Sequence, residues 1–428
     1  MNPFSHIQGE LHAENLPLSR IAEAVGTPVY VYSRRALERN AAAFRNALAP
    51  LGDPLIAFAV KANPNLAVLR VLAAQGLGAD VVSGGELVRA LAAGVPAERI
   101  VFSGVGKTAR ELELALDKGV GQLNIESLEE AEELSAIASA RGLRAPCALR
   151  VNPDVDAGTH DKITTGRADS KFGVLLRHAH EVYGRMAALP GLAQRGLALH
   201  IGSQLGELAP LERAFVRLGE LIAELRGRGH TITHADLGGG IGIPYREGEV
   251  MPSPAEYAAM VARVTRGWDV RLIFEPGRAI VGDAGVLLTR VVRVKRGVND
   301  PFLVVDAAMN DLARPALYGA WHDFDAVRPG GGRMRANIVG PICESGDTFA
   351  TGRDTDRMLR GDLAVFRTAG AYGATMASSY NSRGFVPEVL VDGDRFAVVA
   401  DRIAPEAIME AERVPEWLDE PAVSPAGG

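Results

Sequence analysis

Cysteine is nearly absent: 428 residues contain only Cys147 and Cys343. Two cysteines cannot staple a disulfide framework, and a reducing compartment would keep both as thiols. A surplus of positive charge is missing too. With 46 Lys and Arg against 52 Asp and Glu the net charge is −6, so nothing is available to neutralise a phosphate backbone, and nucleic acid is not expected as a partner. No uncharged apolar run approaches the roughly 20 residues that cross a bilayer. The start, "MNPFSHIQGELHAENLPL", lacks a basic stretch leading into an apolar one. These absences predict a cytoplasmic protein without membrane partners. HExxH, CxxC and EF-hand patterns are lacking, so no metal site is expected. "SGVGKT" at 103–108 approaches a P-loop, but Val101 stands where that loop needs Gly, and ATP binding is not supported.

What the chain does have is apolar content, 47% of its residues, enough for two domains with substantial cores. From about 54 to 275, short apolar runs alternate with helical patterns. Strands are predicted at 54–60, 79–82, 99–103, 122–125, 147–151, 195–201, 234–238 and 271–275. The segment 127–142, "SLEEAEELSAIASARG", shows a helix with both ends defined: a Ser N-cap, an acidic first turn and a terminal Gly. Eight strands with intervening helices predict an α/β fold of the (β/α)8 type, with a doubly wound open sheet as the alternative. After about 280, runs such as "AGVLLTRVVRVKRG" and "PEVLVDGDRFAVVA" predict a second, mainly antiparallel β domain ending in a loose acidic tail. Cys147, within "APCALRV", reads as a buried structural residue.

Barrels collect functional groups at the C-terminal ends of their strands. The first predicted strand ends at Lys61 in "FAVKAN", where partial desolvation would lower the amine's pKa and suit it to bond an aldehyde, unless the side chain simply reaches solvent. Later strands end in "HIGSQ" (200–204), "LGGGIG" (237–242) and "EPGR" (275–278). Gly238, Gly239 and Gly240 could bring backbone N–H groups against an anion, with Ser203 adding a hydroxyl. A lysine, an anion cradle, the flat ring of His200 and the carboxylate of Glu275 are together what pyridoxal 5'-phosphate requires.

Taken with "DAAMNDLARPALY", "CESGD" and "GAYGATMASSYNSR", these motifs resemble, in order and from about residue 25 to 400, the pyridoxal-phosphate decarboxylases built on an alanine-racemase-like barrel. The resemblance is greatest to the branch that acts on diaminopimelate. It implies a homodimer with active sites shared across the interface. It implies an N-terminal segment (1–28) joining the β domain, a cofactor barrel (29–278) and a C-terminal β domain (279–428). It implies that Lys61 carries the cofactor, His200 stacks on its ring and Glu275 pairs with its ring nitrogen, while Ser203, Gly240, Gly277, Arg278 and Tyr372 bind its phosphate. Arg278, Arg314 and Tyr318 would hold the substrate's far carboxylate. Glu344, arriving from the second subunit, would hold the far ammonium, and Cys343 beside it competes with Lys61 as proton donor to Cα. Tyr372 would also touch substrate.

Two arginines aimed at the far end suit a substrate carrying both a carboxylate and an ammonium there, and would serve ornithine or arginine poorly. The expected reaction is therefore decarboxylation of meso-2,6-diaminopimelate to L-lysine and CO2, the last step of lysine biosynthesis. Alternatives are a paralogue acting on another amino acid or a carrier-bound glutamyl group, an amino-acid racemase, and a non-catalytic cofactor carrier. "CESGD" opposes the racemase, and the residues after 280 oppose the carrier. Asp347 has no evident role, and 159–173 reads equally as a lid or a surface loop.

Overall fold

The computed structural model describes residues 3–156, 165–166 and 170–418. Most of the segment 159–173 and of the acidic tail lies outside these residues. Eight parallel strands form the centre: β1 (Leu55–Ala59), β2 (Gly78–Val81), β3 (Ile100–Phe102), β4 (Gln122–Ile125), β5 (Ala145–Asn152), β6 (Leu192–Ala198), β7 (His234–Asp236) and β8 (Arg271–Phe274). Each pairs with its successor, and β8 pairs with β1, so the sheet closes into a barrel, which removes the open-sheet alternative.

The intervening helices start where the sequence places caps. The Ser127 side chain accepts from Glu130 N ahead of Leu128–Ala140. Thr108 and Ser253 form reciprocal capping boxes with Glu111 and Glu256. Helix Arg34–Leu48, which precedes β1, packs against both Leu66–Ala74 and Pro254–Val264 and so completes the outer ring.

Strand alternation divides the side chains between the two faces. Leu55, Ala57, Val101 and Ile273 make a small apolar cluster of their own inside the barrel. Above it the interior turns polar. Gln122 Nε2 donates to Asn124 Oδ1 (2.9 Å), and Asn124 Nδ2 donates to Ser103 Oγ (3.1 Å) and Asp236 Oδ2 (3.0 Å). Lys107 of the near-miss P-loop is wholly buried, donating to the carbonyls of Gly104 and Asn124 (both 2.7 Å) and to Glu130 (2.6 Å), so it is committed to the framework. Cys147 is fully buried as expected, and burial pushes its thiol up to about 12.

The second domain is a mixed, largely antiparallel sheet around the long strand Gly285–Lys295. Its membership corrects the expected boundary at residue 29. Strand Val29–Ser33, buried along its whole length, pairs with Gly285–Lys295 and with Glu388–Asp392, and the barrel begins only after it. A strand buried on both faces has no alternation to reveal which sheet owns it. The N-terminal strands Phe4–Ile7 and Glu10–Ala13 form a hairpin whose Leu11 N donates to Val327 O (2.7 Å) in this domain.

Ser33 and Glu14 fasten the junction between the domains. Ser33 Oγ caps the first barrel helix by accepting from Ala36 N (3.0 Å) and donates to Glu14 Oε1 (2.7 Å). The same carboxylate accepts from Arg35 N (2.9 Å) and Gly393 N (2.7 Å). Ser33→Ala removes a cap and leaves a buried carboxylate short of a donor, which should cost about 1–3 kcal/mol and lower the thermal midpoint. An unchanged midpoint would show that the junction does not depend on this hydroxyl.

Candidate active site

Closure of the barrel gathers the strand-end motifs on one rim. A cavity there is lined by Lys61, His200, Ser203, Gly238–Gly240, Glu275, Gly277, Arg278 and Tyr372. These are all of the residues expected to hold a cofactor. Lys61 sits in the 3-10 turn Val60–Ala62 just after β1. The second domain reaches this turn directly: Tyr372 N donates to Ala62 O (2.9 Å), and Asn63 Nδ2 donates to Gly370 O (3.0 Å).

The electrostatics of Lys61 differ from the expectation. Burial by itself lowers its pKa, but Asp80 lies 2.9 Å away on β2, fully buried, and its charge raises the amine above its ordinary value. Lys61 is therefore an ammonium, half of an ion pair. Asp80 escaped notice in the sequence because it interrupts the apolar run "ADVV" and reads as part of a strand.

On the opposite wall His200 is held well below its ordinary pKa, first by burial and then by the charges of Lys61 and Arg150. Its ring is neutral, with Nδ1 accepting from Gly239 N (3.2 Å). Glu275 moves the other way. Burial, then Asp236 and Asp80 nearby, hold its carboxyl well above the usual range, and it shares a hydrogen bond with Asp236. Two carboxyls that share a hydrogen bond need a proton between them, so the Glu275–Asp236 pair holds one.

The glycine run works differently from a row of three donors. Gly238 N donates to Asp236 Oδ1 (3.0 Å) and Gly239 N to His200 Nδ1, so only Gly240 of the three presents its N–H. Gly239 is required by packing, since a Cβ there would lie 2.2 Å from Glu275 O. Among the described residues the N–H groups of Gly240, Gly277 and Arg278 have no acceptor. These donors line the same cavity. Three orphaned donors, a lysine, a flat neutral ring and a buried carboxyl fit an aromatic aldehyde that carries a phosphate and a basic ring nitrogen.

A second, outer cavity shares Lys61, His200, Ser203, Arg278 and Tyr372 with the first and adds Arg314 and Tyr318. Arg278 and Arg314 are both buried, and among the described residues neither has a carboxylate partner. Arg278 Nε is buried without any hydrogen-bond partner. Burial, together with the charge of Arg278, holds the Arg314 guanidinium below its ordinary value.

Cys343 and Glu344 line neither cavity. Cys343 is exposed, its N–H donating to Asn381 Oδ1 (2.9 Å), and Glu344 hydrogen-bonds the exposed Tyr380 phenol, raising its pKa. Asp347, unassigned from sequence, organises this loop. Oδ2 accepts from Ile342 N and Oδ1 from Met309 N, both at 2.7 Å, tying "CESGD" to the segment that leads to Arg314.

The comparisons agree with this geometry. Residues 34–282 match the family described as pyridoxal-dependent decarboxylase, pyridoxal binding domain. Diaminopimelate decarboxylase of Zymomonas mobilis is 51% identical over 421 residues, covering 98% of this chain and all of that protein. Two solved structures are similar over nearly their whole length. Diaminopimelate decarboxylase of M. jannaschii in complex with L-lysine has a TM-score of 0.93 at 32% identity, covering 97% of this chain and 98% of that one. The Helicobacter pylori enzyme, also complexed with L-lysine, has a TM-score of 0.89 at 37% identity, covering 92% and 98%. With its full-length relatives and its barrel-rim site in agreement, the chain belongs to the diaminopimelate decarboxylase family of pyridoxal-dependent decarboxylases.

Proposed function

We propose that this chain decarboxylates meso-2,6-diaminopimelate to L-lysine and CO2, with pyridoxal 5'-phosphate bound on the barrel rim. The observation that carries the substrate is the pair of buried guanidiniums, Arg278 and Arg314, in the cavity that contains Lys61, with no carboxylate of the described protein to neutralise them. Buried cations without counter-charge are costly, and a carboxylate on the ligand relieves that cost.

When bound, the cofactor supplies the electron sink for loss of CO2. The protein's residues do the rest. Lys61 Nζ would hold the cofactor's aldehyde carbon, and Asp80 keeps the proton of that nitrogen in place. Glu275, whose carboxyl burial, Asp236 and Asp80 hold above its usual range, would pair with the ring nitrogen. His200, neutral and flat, can press against the ring without opposing that positive charge. The N–H groups of Gly240, Gly277 and Arg278, with Ser203, would take the phosphate. Arg278, Arg314 and Tyr318 would fix the far carboxylate, so that the near one stands at the reacting end.

Cys343 and Glu344 would come from a second copy of the chain, a reading supported by their position outside both cavities of their own protomer. Glu344 would then meet the far ammonium, and Cys343 Sγ or Lys61 Nζ would return a proton to Cα. An exposed catalytic thiol suits a reducing cytoplasm.

Purified protein with pyridoxal phosphate, offered meso-diaminopimelate, ornithine, arginine and lysine separately, should release CO2 from the first and form lysine. Turnover of ornithine in its place would sink the assignment. Arg314→Ala should lower kcat/KM for meso-diaminopimelate by about 2–4 kcal/mol, roughly 30- to 1000-fold, with the loss mainly in KM. Asp80→Asn removes the charge that outweighs burial, so the Lys61 pKa should fall. The midpoint for covalent capture of pyridoxal phosphate by the apoprotein should then move down by about 1–3 pH units, and an unmoved midpoint would contradict the ion pair's role. Equal mixtures of Lys61→Ala and Cys343→Ala protomers should recover roughly a quarter of wild-type activity, since half the dimers are mixed and each has one intact site. Inactive, verified mixed dimers would place Cys343 in its own chain's site.

A further inference from the structure

The two guanidiniums need something to aim them, and the structure uses groups without negative charge. Arg314 opens the short helix Arg314–Tyr318, which Gly319 ends in the left-handed region at φ 60°. The reversal brings His322 back alongside, and Arg314 Nη1 lies 2.7 Å from His322 Nε2. A guanidinium can only donate, so Nε2 must accept. His322 Nδ1 lies 2.7 Å from Arg367 O, which can only accept, so Nδ1 carries the proton. The two partners fix one neutral tautomer. Burial and the Arg314 charge, which push this imidazole down to about 3, are consistent with it.

Tyr245 completes the arrangement. Its hydroxyl oxygen accepts from Arg278 Nη1 (2.6 Å), and its ring lies 4.4 Å from the Arg314 guanidinium carbon. The same ring meets the His322 ring edge-on, with centroids 5.2 Å apart at 83°. Tyr245 and His322 are 6% and 3% exposed, so neither competes for solvent. The returning turn is clamped from behind: Arg353 stacks on Trp321 at 3.2 Å from the ring centroid and donates to His322 O (2.9 Å).

We propose that His322 and Tyr245 are positioning residues for substrate recognition, His322 orienting Arg314 and Tyr245 orienting Arg278, so that both cations converge on one carboxylate. This rests on the diaminopimelate reading and adds its means of discrimination. The choice of neutral acceptors matters chemically. Aspartate or glutamate behind either arginine would orient it equally well but would neutralise the charge that the substrate's far carboxylate is meant to meet. A hydroxyl and an imidazole lone pair align the guanidiniums and leave their charge intact.

Steady-state kinetics on the holoenzyme test this. His322→Leu removes the acceptor, and KM for meso-diaminopimelate should rise roughly tenfold or more while kcat changes less than about threefold. The cofactor absorbance band should stay as in wild type. His322→Gln offers Arg314 a carbonyl and Arg367 O an amide donor, and should return KM to within about threefold of wild type. Tyr245→Phe keeps the ring and loses only the oxygen, and should raise KM several-fold. Wild-type KM in soluble, cofactor-loaded His322→Leu and Tyr245→Phe overturns the proposal, as does a fall in kcat with KM unchanged. If His322→Leu yields no soluble holoenzyme, Tyr245→Phe decides: a raised KM upholds the positioning role, and an unchanged one overturns it. A wild-type enzyme inactive on meso-diaminopimelate defeats the substrate reading and this inference together, whereas an active wild type with unaffected variants defeats this one alone.

Discussion

The pairing of β8 with β1, Ile273 to Leu55 and Phe274 to Ile56, is the contact on which the site depends. It joins the two ends of the βα series and turns a row of strand ends into a ring. Lys61 after β1 thereby faces His200 after β6 and Glu275 after β8, residues that no local interaction could bring together. Parallel strands make this possible because all their carboxyl ends lie on the same side. The remaining elements stabilise the ring or line its mouth.

Burial is the means by which the ring sets its chemistry. The same loss of water leaves His200 neutral and favours a proton on the Glu275–Asp236 pair, since in each case the charged form is disfavoured. Lys61 is the exception because Asp80 shares its enclosure and the attraction between them outweighs the desolvation. One environment thus produces a neutral ring, a proton store and a retained ammonium within a single cavity. The polar chain from Gln122 through Asn124 to Asp236 underlies this, satisfying the inner carboxylate with hydrogen bonds.

Much of this was legible in the sequence, for identifiable reasons. Apolar runs with turn residues at their ends located all eight barrel strands to within a few residues, and functional side chains at those ends followed from strand polarity. Three features were hidden. Val29–Ser33 is buried throughout, so its pattern suited either sheet. Asp80 lies inside a strand and not at its end, where a single charge carries no signal of its partner. His322 and Tyr245 are far apart in sequence, and only the turn at Gly319 and the clamp on Trp321 bring them to the arginines. The glycine run was placed correctly, but its chemistry was not: the Asp236 carboxylate two residues upstream and the His200 ring from the neighbouring strand end take two of its three donors.

Part of what would choose the substrate comes from a different domain than the chemistry, while Arg278 and Tyr245 stay with the barrel. Lys61, Asp80, His200 and Glu275 are barrel residues, while Arg314, Tyr318 and His322 come from the β domain and meet them only across the seam sealed by Tyr372 and Asn63. A lineage could therefore adjust its preference at the substrate's far end by rebuilding a single short helix and its return turn, leaving Lys61, His200 and Glu275 untouched. Modular inheritance of this kind lets a catalytic barrel persist while its appetite changes.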